Sequence, residues 1–121
     1  MPNDRYAPRP LSRQESEPFV NAEAAWLWFC QNQIARQEGV RFDANARTTP
    51  RPCDPDDIYR AVDRLYRAFV IDRRHLVALA DYGVRLTPPN PRLAEEGLAA
   101  RLWDEALDRL TTPLKAKGIL L

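Results

Sequence analysis

One histidine, two cysteines and sixteen arginines carry most of the reactive and ligand-binding chemistry that this 121-residue chain offers. A serine relay needs its nucleophile on a folded element, and the only serines, Ser12 and Ser16, lie in a proline-rich stretch. Cys30 or Cys53 with His75 could make a thiolate–imidazole pair, since an imidazole can take the thiol proton. No spacing brings these residues together, and Cys30 falls on an apolar stripe where a structural thiol is expected. Zinc wants four good ligands at short spacings, which one histidine and two distant cysteines do not supply. Neither a Walker loop nor a GxGxxG fingerprint occurs. The expectation is a chain that is not an enzyme and uses no metal or cofactor.

The arginines are the other candidates. They make up sixteen of the eighteen basic residues, and their planar fork suits phosphate and carboxylate better than a lysine ammonium does. Residues 36–92 hold eleven of them against eight carboxylates, a local +3 in a chain whose formal charge is +1. Arg41, Arg47 and Arg51 charge one loop, while Arg64, Arg67, Arg73 and Arg74 gather around a helix junction. Arg73 and Arg74 also fall at a helix N-terminus, where unpaired N–H groups favour a phosphate. His75 follows them in the first turn, a surface or interface position. Tyr59 and Tyr66 share one face beside this group. The alternative is a solvated basic face with tyrosines at the core edge.

Four helices must position these groups. The helix containing AEAAWLWFCQNQIARQEG opens near Pro18 or Asn21, the latter a good N-cap, and closes at Gly39, a good C′ residue. Steps of about 100° per residue put Trp26, Leu27, Cys30 and Ile34 inward, with Phe29 at the edge. Trp28 leaves that stripe, so it packs on a second face or anchors a partner. CDPDDIYRAV is a strong start: Asp54 as N-cap, Pro55 at N1, Asp56 and Asp57 in the first turn. Ile58, Val62, Leu65 and Phe69 follow as a buried stripe, with Asp56–Arg60 and Asp63–Arg67 as solvent-side pairs. Asp72 caps a third helix that stops at Gly83, with Leu76, Leu79 and Ala80 inward. Asn90 and Pro91 open the last long helix, which runs to about Thr111. Ala99, Leu102, Trp103, Ala106 and Leu110 form its stripe, Leu98 and Leu107 lie beside it, and Thr112–Pro113 end it. A short turn closes at Gly118, and Ile119, Leu120 and Leu121 fold back on the core.

No run alternates with period two, so the fold class is all-α: a compact bundle of four main helices. Residues 1–17 read as a flexible proline-rich arm, which Tyr6 and Leu11 could anchor, and 18–121 as one helical domain. Val40 and Phe42 could tuck the loop after the first helix against the body. The longest apolar run, Ala24 to Cys30, is seven residues, against roughly 20 for a bilayer span. With no apolar leader segment in the first eighteen residues, a soluble cytoplasmic protein with no membrane role is expected.

The order DDIYRAVDRL, RRHLVALADYG, LAARLWDEALDRL resembles the helical layout of phage antitermination proteins of the Q type and the helix-turn-helix of sigma factors' promoter-reading region. The resemblance covers about residues 54–112. It implies a helix-turn-helix-like arrangement in the C-terminal half and control of transcription through DNA or RNA polymerase. It also implies DNA contact by Arg101 and Arg109 on the last helix. Two features depart from that pattern: TPPNPR stands where the tight turn belongs, and the last helix carries Glu95, Glu96, Asp104, Glu105 and Asp108. An acidic helix is a poor reader of the major groove. The leading functional expectation is a small regulator contacting DNA or the transcription machinery through its arginines. The alternative is a helical adaptor or homo-oligomer with no nucleic-acid role, for which Trp28 is the candidate partner-binding residue.

Overall fold

The computed structural model describes residues 16–39 and 50–121. The arm at 1–15, including Tyr6 and Leu11, and the loop at 40–49, including Val40, Arg41, Phe42 and Arg47, lie outside the described residues. Four α-helices follow in order: α1 (Ala22–Gln37), α2 (Pro55–Arg67), α3 (Arg73–Val84) and α4 (Gly97–Ala116). No β-strand occurs among the described residues; one isolated parallel bridge joins Phe19 to Leu120. The fold is an all-α bundle in which α1 and α4 each pack on the other three helices. No described helix is long and apolar enough to cross a membrane.

Three of the four predicted starts hold because polar side chains close unpaired N–H groups of the first turn. Asn21 Oδ1 accepts from the Ala24 N–H at 2.8 Å. Asp54 and Asp57 form a reciprocal capping box ahead of α2. Asp72 does the same for α3, but its reciprocal partner is His75. Asn90 Oδ1 accepts from the Arg92 N–H, yet this opens only a turn. A short 3-10 segment, Ala94–Glu96, intervenes, and α4 begins at Gly97. Gly97 therefore sits at a helix end, where its flexibility costs less than in the interior.

Two predicted stops move. Gly83 does not end α3; it is buried inside the helix, which continues to Val84. A β-carbon there would lie 2.5 Å from Cys30 Sγ and 3.2 Å from Trp26 Nε1, so the glycine serves close packing of α3 on α1. The Trp26 indole N–H uses that approach to donate to the Leu79 carbonyl at 3.1 Å. Pro113 does not end α4 either, which runs through it to Ala116. Leu114, fully buried one residue later, and the returning tail outweigh the lost hydrogen bond. The tail is held by two hydrogen bonds: Phe19 N–H to the Ile119 carbonyl at 2.9 Å and Leu121 N–H to the Phe19 carbonyl at 3.0 Å. Ile119 and Leu120 are buried and Leu121 is exposed.

The core runs through all four helices and is centred on aromatics. On α1 the buried face is Ala22, Ala25, Trp26, Phe29 and Cys30. Phe29 is thus interior, while Leu27 and Ile34 are only half-buried. On α2, Ile58, Ala61 and Val62 are buried, Leu65 is half-buried and Phe69 is outside altogether. On α3, Ala78 and Leu79 point inward and Ala80 does not. On α4, Ala100, Leu102, Trp103, Ala106, Leu107, Leu110 and Leu114 are buried, Ala99 is half-buried and Leu98 is exposed. Trp103, 1% exposed, satisfies its indole N–H on Glu23 Oε1 at 2.8 Å.

Candidate protein-interaction surface

Each helix must end its ladder of hydrogen bonds, and the usual device places one residue with positive φ just beyond the C-cap. α1 uses Gly39 (φ 69°) and α4 uses Gly118 (φ 76°). The sequence RAFVIDRR offers no glycine between α2 and the Asp72 cap. There the Phe69 N–H donates to the Tyr66 carbonyl (3.1 Å) and the Val70 N–H to the Leu65 carbonyl (2.9 Å). These are the two bonds of a Schellman motif, and they put Phe69 at φ 62°. The end of α3 repeats the geometry: Leu86 N–H to the Gly83 carbonyl (3.0 Å), Thr87 N–H to the Tyr82 carbonyl (3.2 Å). Leu86 then stands at φ 55°.

A large L-residue in the left-handed region costs roughly 1–2 kcal/mol. Burial could offset that cost, but Phe69 is 93% exposed and Leu86 42%. Both side chains line surface clefts. Phe69 shares a cleft of about 420 Å³ with Tyr66, Arg67, Ile71, Asp72 and Arg73. Leu86 shares one of about 460 Å³ with Phe19, Ala24, Leu27, Trp28, Gln31 and Arg51. Trp28 is half-buried, its ring centroid 5.1 Å from that of Phe19. It therefore packs on a second face, the first of the two roles its position allowed, and also lines a groove.

The arginines divide into three groups. Arg51 turns to the body: its guanidinium lies 4.2 Å from the Phe19 ring centroid and donates to the Glu17 and Pro18 carbonyls. Arg67, Arg74 and Arg109 pair with Asp63 (3.0 Å), Asp72 (2.9 Å) and Asp108 (2.8 Å). Arg36 meets Asp56 and Arg60 meets Asp57, so the expected Asp56–Arg60 pair is exchanged for these two. Arg64, Arg73, Arg85, Arg92 and Arg101 are exposed and form no ion pair with a carboxylate among the described residues. The N-terminus of α3, where a phosphate was expected, already holds an anion. The Asp72 carboxylate accepts from the Arg74 N–H at 2.9 Å, and its hydrogen bonds to the Arg74 side chain hold its pKa down at about 2.

His75 is not on the surface, one of the two placements, surface or interface, expected for it. It is 7% exposed. Its Nδ1 receives the Asp72 backbone N–H at 3.0 Å, which leaves the ring proton on Nε2, facing Glu105 Oε1 at 2.9 Å. The ring thus ties the start of α3 to α4. Its hydrogen bond is the main reason the Glu105 pKa is lowered. Burial raises the thiols of Cys30 and Cys53 to about 11, so both are protonated at neutral pH and poorly nucleophilic. No cluster of ligating side chains that could hold a metal ion occurs among the described residues.

The connection between α3 and α4 covers residues 85–96, longer than the three or four residues of a helix-turn-helix turn. α4 is a central core helix touching the other three, with Arg101 and Arg109 on its outer side among Asp104, Glu105 and Asp108. Compared with protein-family models, curated proteins and solved structures, the chain matches none significantly.

Phe69 and Leu86 were hidden from periodicity, because Phe69 continues the spacing of the α2 stripe. The readable signal is a missing glycine. Between the end of α2 and the Asp72 cap, the residues AFVI include no glycine to take the positive φ of a helix end.

Proposed function

We propose that this chain is a helical protein-interaction module that docks partners through apolar side chains displayed at its helix ends. The carrying observation is that two of four helix-terminating positions hold Phe69 and Leu86 where glycine is the less strained choice, and both line clefts. At Phe69 the backbone strain is held with almost no burial to offset it, a mark of functional positions. Exposed aromatics in a shallow pocket are the usual anchors of protein interfaces. The distribution of arginines supports the same reading, since five of them pair with nearby carboxylates rather than joining one continuous basic face.

The test is to pan an unbiased peptide library on the full chain and on the double variant Phe69→Gly, Leu86→Gly. Peptides that bind the parent and lose the variant are expected, with the variant melting at the same or a higher temperature. Equal retention on both proteins overturns the proposal.

A nucleic-acid role is the second reading, favoured by the exposed Arg64 and Arg73. It requires salt-dependent binding to a random duplex that weakens when Arg73→Ala and Arg74→Ala are combined.

A further inference from the structure

The cleft beside Phe69 has a chemistry of its own. It is lined by the apolar groups of Tyr66, Phe69 and Ile71 together with Arg67, Asp72 and Arg73. Arg64 lies one turn before Arg67 on the exposed side of α2, and Arg74 follows Arg73 on α3. The carboxylates near these four guanidiniums are Asp63, engaged with Arg67, Asp72, engaged with Arg74, and Glu105, which faces His75 and Arg74. The surroundings of the exposed phenylalanine are therefore net positive.

The N–H groups of the connection offer a partner little to bind. The N–H groups of Ala68, Phe69, Val70 and Ile71 donate to Arg64, Tyr66, Leu65 and Leu65 carbonyls. The Asp72 N–H donates to His75. An extended peptide that gains affinity by pairing its own backbone would find none of these donors free. A helix, with its backbone satisfied internally, loses nothing here and can present one apolar stripe with charge on its flanks.

We infer that the occupant of this cleft is an acidic amphipathic helix, seating an apolar side chain beside Phe69 and Tyr66 with its carboxylates over Arg64, Arg67 and Arg73. This rests on the reading of the chain as a protein-interaction module and adds the charge and form of the partner. The apolar contact supplies the anchor, while the guanidiniums steer approach and select against basic helices.

The test uses three displayed libraries of helices about four turns long. The first places Leu, Ile, Phe or Trp at i, i+3, i+4 and i+7 with Glu and Asp elsewhere. The second keeps that face and replaces the acids by Lys and Arg. The third keeps the acids and replaces the apolar face by Ser. Binders are expected from the first library alone. Their affinity should fall by about tenfold or more in Phe69→Gly, and by a similar factor in Arg64→Glu with Arg73→Glu. Phe69→Gly relieves strain, so lost binding there is not lost folding; circular dichroism melting verifies this for each variant. Binders from the basic library that still need Phe69 overturn this inference and leave the interaction reading standing. Equal binding by the serine-faced library or by a random DNA duplex overturns it too, because charge alone is then the ligand. A first library without binders overturns it outright, and the unbiased panning decides separately whether Phe69 docks something else.

Discussion

Gly83 of α3 lies against Cys30 of α1 so closely that a β-carbon on the glycine would come within 2.5 Å of the cysteine sulfur. The same approach brings the Trp26 indole to the Leu79 carbonyl. Seating of α3 on the bundle, and with it the placement of Leu86 beyond the α3 end, depends on this absence of a side chain.

Gly83→Ala should destabilise the protein by about 1–3 kcal/mol, the usual cost of overpacking a core. Combining it with Cys30→Ala should recover part of the loss, since Trp26 Nε1, at 3.2 Å from the added carbon, still crowds it. Urea denaturation of the two single variants and the double variant measures the coupling directly.

Phe69→Gly and Leu86→Gly should each stabilise the fold by up to about 1 kcal/mol, because glycine enters the left-handed region without the β-carbon clash. Thermal melts read this. A clear loss of stability in either would mean that the side chain packs in the folded protein.

Asp72 gives a pH signature. Its carboxyl ordinarily titrates near 3.8 and is held at about 2 by the Arg74 side chain first, then by the Arg74 backbone N–H and nearby positive charge. A lowered folded-state value means stabilisation that is complete above the unfolded value and is lost as pH falls through the folded one. The contribution of Asp72 should therefore fade between pH 3.8 and about 2. Asp72→Asn keeps a good capping side chain but removes the charge, so its unfolding free energy should fall less steeply over that window than the parent's.

Ile119→Ala should cost about 2–5 kcal/mol by opening a cavity under the returning tail, since Ile119 is 2% exposed. Leu121→Ala, on an exposed neighbour, should stay within about 0.5 kcal/mol of the parent. Equal effects in chemical denaturation would place the tail elsewhere than against Phe19.

Much of the bundle was legible because helix starts are local events. Asn21, Asp54 and Asp72 each cap a helix with their own side chain, so residue type and order suffice to find them. Helix ends were less legible. Glycine marks them only where it is used for conformation, as at Gly39 and Gly118; at Gly83 it is used for space, and at Phe69 and Leu86 the end came without it. The second-face packing of Trp28 was legible from its departure from the stripe. His75 was misplaced because its partner Glu105 lies thirty positions away.

By itself, then, the amino-acid order determined an all-helical chain, the residues that open α1 to α3, the apolar faces in outline and the tail that returns to the core. Those depend on neighbours three or four positions apart, within reach of a single turn. Only the tertiary structure decided which face of each stripe is deepest, that Pro113 stays inside a helix, that His75 meets Glu105 of α4, and that Phe69 stands outside. Those outcomes follow from how four helices share one core, where burial of Leu114, Trp103 and Leu79 outweighs the weaker preferences of any one segment.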